Sequence, residues 1–263
     1  MLLIHGFPRD RRLWRKLVPL LADAFDTVAM DRRGFGESDR TADPAAYDNR
    51  TMTQDALALV DHLGWQRFLV VGHDQGQPVA QRLAADHPDR VAGAVFLDSL
   101  PQGARSDRPA DPSGRTWYFD FFRQRGVAEQ IIGQNPRLFF SLFLARHSHL
   151  TQEEHDAFLE PYCREGSVDA VLACYRHALE DDRAYWETWF NSGGRFTVPV
   201  CVLWAARGPV AGAPVLDVWC RVADNVRGAE IADTAHYLQE EQPEAVAQHI
   251  HGFAREIGLY WPA

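Results

Sequence analysis

What this chain has little of narrows it first. Cysteine occurs only four times in 263 residues, at Cys163, Cys174, Cys201 and Cys220. None forms a CxxC pair and the spacing is too loose for a disulfide framework, so they read as reduced packing residues in a cytoplasmic protein. Basic charge is in deficit. The 27 Lys and Arg against 36 Asp and Glu leave a formal charge of −9, which argues against nucleic acid or an anionic membrane as a partner. No apolar run approaches the roughly 18 residues that suggest a membrane span. Residues 1–4 are too short for a signal peptide and run straight into a glycine turn. No internal repeat and no low-complexity segment occurs. What is abundant is apolar side chain, 46% of the total, enough to bury a large core in one domain carrying an inserted lid.

Short apolar runs alternate with longer helical patterns, the signature of βαβ units and a mostly parallel sheet flanked by helices. Strands are expected at residues 1–4, 27–30, 68–71, 91–97, 198–204 and 228–231. Helices are expected at 13–24, at 51–63 with Thr51 or Asn49 as cap, at 77–87 and at 243–257. Pro78 falls in a first helical turn, where its missing N–H costs little. Between residues 102 and 192 the alternation stops. A Pro- and Arg-rich linker over 103–115 leads into helical patterns at 117–125, 127–132, 136–145, 152–162, 167–179 and 184–190. The chain therefore divides into an α/β core, residues 1–101 and 193–263, and a helical cap over residues 102–192. The first turn arrives at residue 5 with no hairpin before it, so either the sheet is two strands short at one edge or the true start of the chain lies upstream.

The most informative residues are Gly72-His73-Asp74-Gln75-Gly76, directly after the apolar run 68–71. Small residues two before and two after a central side chain describe a nucleophile elbow, where a strand turns sharply into a helix. The usual occupant is Ser. An Asp there moves the chemistry from acyl to alkyl transfer: a carboxylate attacks a saturated carbon and becomes an ester that water must hydrolyse. Such a site opens epoxides or displaces halides. Asp74 would also suit a helix N-cap, but glycines flanking it after an apolar strand favour the nucleophile.

An Asp nucleophile needs a base and an acid to orient it. His236 follows a late strand, in the run Thr234-Ala235-His236-Tyr237, and is placed to deprotonate the hydrolytic water. Asp98, at the end of the strand after the elbow, is placed to hold the imidazole tautomer. The turn after the next strand, residues 204–209, offers no carboxylate for that task. The N–H groups of Gln75 and Phe7 are expected to hold the oxyanion. No metal or organic cofactor is implied, because every step is nucleophilic or acid–base.

These residues resemble the α/β-hydrolase superfamily, specifically its branch of fluoroacetate dehalogenases and related epoxide hydrolases. The resemblance runs through His5-Gly6-Phe7-Pro8, the Asp31–Ser38 turn, the elbow, Leu97-Asp98, the helical lid and Ala235-His236-Tyr237-Leu238. It implies the α/β-hydrolase fold, whose members normally carry two more N-terminal strands. It also separates two activities. The dehalogenases grip a substrate carboxylate with arginines at the positions of Gln75 and Pro78, and neither residue here forms a charge-assisted pair. Their His-Trp halide pair matches Tyr118 and Phe119, and a Phe offers no indole N–H. Epoxide hydrolases need acidic lid groups aimed at the ring oxygen, because the leaving alkoxide is very basic. Tyr118 and Tyr175 fall at those two positions.

The reading is therefore an epoxide hydrolase with Asp74, His236, Asp98, Tyr118 and Tyr175 as catalytic residues. Phe119, His73, Trp117 and Arg176 are expected to contact a small-molecule substrate with an apolar or aromatic portion. The alternative is a haloacid or haloalkane dehalogenase using the same triad, with a larger substrate anchored through Arg176. A third reading is a non-catalytic ligand binder, which would have no use for a base and its orienting acid. An incomplete sheet edge invites pairing of two copies as a homodimer.

Overall fold

The structure, a computed structural model, describes residues 1–104, 116–144 and 150–259. Beyond residue 104, the linker expected over 103–115 lies outside the described residues. Six strands form one sheet: β1 (Leu2–Ile4), β2 (Val28–Met30), β3 (Phe68–His73), β4 (Val91–Leu97), β5 (Val200–Ala205) and β6 (Val226–Ile231). They lie in the order β2-β1-β3-β4-β5-β6 and every pairing is parallel. A parallel sheet is covered on both faces, so its central strands need no polar alternation. β3 and β4 are buried at every position.

Successive side chains still serve different layers. Leu2, Val70, Ala94, Phe96 and Val202 belong to a core shared with α1 (Asn49–His62) and α2 (Gln77–Asp86). Leu3, Leu69, Val71, Val95 and Leu203 belong to a second core, closed by Trp14 and by α11 (Pro243–Glu256). The chain order runs outward in opposite directions from β1 and β3. At such a switch point the strand ends open a crevice, and the turns after β1 and β3 meet there.

The helical insertion lies between β4 and β5. Its helices are α3 (Trp117–Arg123), α4 (Val127–Gln134), α5 (Pro136–Leu144), α6 (Gln152–Leu159), α7 (Ser167–Leu179) and α8 (Asp181–Asn191). Phe7 is the post they gather around. Phe122, Phe140, Phe143, Tyr162 and Tyr175 all meet its ring edge-to-face, with centroids 5.1 to 6.5 Å away. Such pairs contribute about 0.5–1.5 kcal/mol each beyond their buried area. Arg15 ties the insertion to the core from another side, bridging Glu154 of α6 and Glu240.

Three local expectations are corrected. Residues 13–24 form no α-helix. Two 3-10 turns, Arg11–Trp14 and Val18–Leu20, replace it, because Pro19 has no N–H to carry an α ladder through. The cap of α1 is Asp48, whose side chain accepts the Thr51 N–H at 2.6 Å. A short helix α9 (Val215–Cys220) sits in a segment that carried no helical signal, and α10 (Leu238–Glu241) precedes α11. Among the described residues no helix is long and apolar enough to cross a membrane.

Candidate active site

The apex of the turn after β3 is Asp74, with φ at 48°. A side chain is strained in that region, and the local sequence explains why it is tolerated. A Cβ on Gly76 would lie 2.2 Å from the Ile4 carbonyl oxygen, so only glycine lets the turn close against β1. Closure delivers the β1 turn to Asp74: the Phe7 N–H donates to Asp74 Oδ1 at 2.8 Å. The Gln75 N–H follows directly in the chain, and the Gln75 carbonyl accepts a bond from Arg32 Nη1 at 3.1 Å.

The other Asp74 oxygen, Oδ2, faces His236 Nε2 at 3.3 Å. His236 Nδ1 lies 2.7 Å from Asp98 Oδ2. Asp98 stands at the end of β4, also at positive φ (53°), and its Oδ1 accepts the Ala205 N–H at 3.1 Å. A Cβ on Gly208 would come within 2.4 Å of the Asp98 carboxylate, so the turn that lacks a carboxylate supplies the space for one. The structure thus brings Asp74, His236, Asp98 and the Phe7 N–H into one constellation.

Electrostatics follow from that geometry. Burial opposes charge on Asp74, but the hydrogen bond and charge of His236 and the Phe7 N–H outweigh it and hold the carboxyl well below the usual range. Burial likewise opposes charge on His236, yet bonds to Asp74 and Asp98 raise it to about 10. Asp98 is pushed up by burial, against the pull of His236. An ionised Asp74 beside a charged imidazole is the resting state these directions define.

Beside Phe7 lie two tyrosines in contact with each other. Tyr175 of α7 is buried, with its ring 5.4 Å from Phe7 and 5.7 Å from Tyr118. Burial first, then the nearby charges of Tyr118 and Asp74, raise its hydroxyl well above the ordinary value. Phe119 packs on the same ring at 5.8 Å. Tyr118, Tyr175 and Phe119 therefore form one aromatic cluster beside Phe7, whose N–H holds Asp74.

Three expected substrate contacts lie elsewhere. His73 is fully buried behind the site, its Nε2 bonded to the His236 carbonyl at 2.9 Å. Burial and the His236 charge lower it to about 3, so it stays neutral. The Arg176 guanidinium is spent on the Phe122 carbonyl at 2.7 Å and Glu129 at 2.6 Å. Trp117 is half exposed and stacks on Phe143 at 6.5 Å, on the outer side of the insertion. Each neighbours a site residue in sequence, and the backbone turns each one away: the pleat of β3 for His73, the helices α3 and α7 for Trp117 and Arg176.

One residue at the site carried no expectation. Glu241 accepts the Ala235 N–H at 2.7 Å and the Tyr237 N–H at 3.0 Å, one on each side of His236. Its signal was present as the acidic pair closing the Thr-Ala-His-Tyr-Leu-Gln-Glu-Glu run. A cleft of about 670 Å³ along β2, lined by Val28, Met30, Asp31 and Arg33 among others, shares no residue with the triad. Among the described residues no three His, Cys, Asp or Glu side chains gather as a metal site.

A parallel sheet with a strained carboxylate at a strand-to-helix turn, backed by a His–Asp pair from later strand ends, defines a class of α/β enzyme. The chain belongs to the α/β-hydrolase fold family, whose profile matches residues 1–243. It is 28% identical over 255 residues to the soluble epoxide hydrolase of Corynebacterium sp. (strain C12), covering 94% of this chain and 86% of that protein. It is 35% identical over 145 residues to a fluoroacetate dehalogenase of Burkholderia sp., covering 53% of this chain and 48% of that one. Among solved structures, the epoxide hydrolase CorEH superposes with a TM-score of 0.84 at 26% identity, covering 97% of this chain and 91% of the other.

Proposed function

We propose that this protein hydrolyses an epoxide to a vicinal diol through an ester on Asp74. The observation that carries the reading is the edge-to-face pair Tyr118–Tyr175, with Tyr175 packed on Phe7, whose N–H holds the Asp74 carboxylate. Asp74 Oδ2 attacks a ring carbon, and the C–O bond to the ring oxygen breaks. An alkoxide is far more basic than a phenolate, so even a tyrosine with a raised pKa delivers its proton downhill.

Esterification also prepares the second step. It removes the charge on Asp74 that helps hold the proton on His236. The imidazole then releases that proton, which restores the tyrosine pair through solvent, and becomes a neutral base oriented by Asp98. Water, losing a proton to His236, attacks the ester carbonyl carbon. The Phe7 and Gln75 N–H groups hold the oxyanion. The diol oxygen leaves with the proton from His236, Asp74 keeps one oxygen from water, and the remaining water proton passes from the Asp74 carboxyl to His236 and restores the resting pair.

The likeness to an epoxide hydrolase along almost the whole chain supports this reading, while the dehalogenase likeness spans about half. Gln75 and Pro78 occupy the places of a carboxylate clamp and supply no cation. The insertion aromatics around Phe7 suit a substrate with an apolar portion. Four cysteines, all unpaired, favour a cytoplasmic setting. The open edge at β2 is the surface through which two copies would pair.

The test is product analysis with styrene oxide and, separately, chloroacetate and fluoroacetate. Diol without halide release is the expected result. Halide release without diol would assign the dehalogenase reaction, and neither product would favour a binding protein.

A further inference from the structure

The imidazole of His236 has its two carboxylates, but an imidazole is only as well aimed as the backbone that carries it. His236 sits on a loop after β6, where no ladder of strand or helix bonds fixes the chain. Three bonds from two side chains do that work. Glu241 grips the amides on either side, Ala235 N–H through Oε2 at 2.7 Å and Tyr237 N–H through Oε1 at 3.0 Å. From the opposite wall, His73 Nε2 meets the His236 carbonyl at 2.9 Å, with its ring 4.6 Å from the His236 ring.

The chemistry of each partner suits a clamp. A carboxylate has only acceptors, and it faces two donors. His73, buried and neutral, has an N–H to give to a carbonyl and adds no charge beside the base. Both bonds of Glu241 close short loops, since α10 carries it back over the residues it holds. The clamp acts on the backbone, while the imidazole nitrogens face Asp74 and Asp98.

We propose that Glu241 is a positioning residue for the second half of the reaction, gripping the two amides that flank His236 so that the base is aimed at the ester. The inference rests on the two-step reading given above. It separates the two steps: the clamp serves hydrolysis, whereas attack by Asp74 on carbon proceeds from a carboxylate held by the Phe7 N–H. A misplacement of about 1 Å can cost about a hundredfold in rate.

The experiment uses the full chain, with styrene oxide as probe, and compares wild type, Glu241→Gln, Glu241→Asp and His236→Gln by rapid quench and intact mass. Glutamine keeps the size of Glu241 but presents an N–H to one of the two amides, so one grip is lost. Hydrolysis of the ester should slow about tenfold to a hundredfold in Glu241→Gln, so that ester accumulates at steady state, while formation of the ester stays within about twofold. Glu241→Asp, an acceptor on a shorter stem, should fall between it and wild type. Equal slowing of both steps would mark a merely structural residue and overturn the proposal, as would no slowing of either.

Amide exchange in the wild type is a second measurement that needs no variant to fold. Ala235 and Tyr237 should be protected despite lying in a loop, and free exchange at both would overturn the clamp. His236→Gln keeps the parent reading separate. No ester on Asp74 in that variant would remove the two-step reaction, and the role of Glu241 with it. Ester in His236→Gln but none in Glu241→Gln would remove the clamp alone.

Discussion

A carboxylate replaces a hydroxyl at the apex of the elbow, and the consequences can be followed side chain by side chain. Asp74 is ionised, gripped on one oxygen by the Phe7 N–H and faced on the other by His236. Asp74→Asn should therefore abolish ester formation, with turnover of a styrene oxide probe down by at least roughly a thousandfold and the melting temperature little changed. Turnover within tenfold of wild type would remove Asp74 from the chemistry. On the proposed reading the tyrosines act on the other end of the breaking bond. Tyr175→Phe should slow ester formation about a hundredfold and leave ester hydrolysis within a fewfold, as read by single-turnover quench. Slowed hydrolysis with normal ester formation would contradict that role. The carboxylate, the histidine and Asp98 were all readable in the sequence, because apolar runs announce the strand ends before Asp74 and Asp98 and His236 follows a late strand. His73, Arg176 and Trp117 were not, since which way a residue points depends on the wall behind it. Arg176 turned to Glu129, and sequence spacing does not reveal that partner.

The elements follow from local rules, and they differ from expectation where those rules compete. Residues 13–24 carry helical apolar spacing, but Pro19 interrupts the ladder and the segment settles into two 3-10 turns. The start of α1 is set by Asp48, one residue before Asn49 and three before Thr51, the two caps suggested by the pattern. Asp48→Ala should destabilise the fold by about 1 kcal/mol in urea titration, the usual cost of a lost N-cap. A change below roughly 0.3 kcal/mol would show that packing alone holds that helix end. The short α9 had no legible signal, because six residues carry too little periodicity. By contrast, the helices of the insertion were legible over most of their length, and five of the six begin at or directly after Gly, Pro or Thr.

At the scale of the molecule, two cores meet on one sheet, and the elbow sits where the chain order reverses. The same burial that builds these cores sets a pH dependence. His5 accepts the Arg32 N–H at 3.1 Å through Nε2 and gives Nδ1–H to the Gly6 carbonyl at 2.8 Å, which only the neutral ring can do. Burial, with Arg32 next, lowers it to about 4. The unfolded chain then binds a proton that the folded one refuses, from about pH 6.5 down to 4, so His5 costs stability progressively as pH falls through that window. His73 acts in the same direction, while Asp182, raised to about 6 chiefly by burial, opposes both. The difference between two proteins isolates the effect. Relative to wild type, His5→Gln should lose less stability on acidification, by up to about 1.4 kcal/mol per pH unit between pH 6 and 4.5. Parallel curves would show that His5 is protonated in the fold.

The central claim is a covalent ester on Asp74, formed by opening an epoxide and cleared by His236. The direct measurement is intact and peptide mass of His236→Gln after exposure to styrene oxide, with Asp74→Asn as control for alkylation of the cysteines. The account predicts an adduct carrying the whole mass of the epoxide, located on Asp74 and missing from Asp74→Asn. An adduct only from a haloacid, at its mass less hydrogen halide, or no adduct on Asp74 at all, would contradict it.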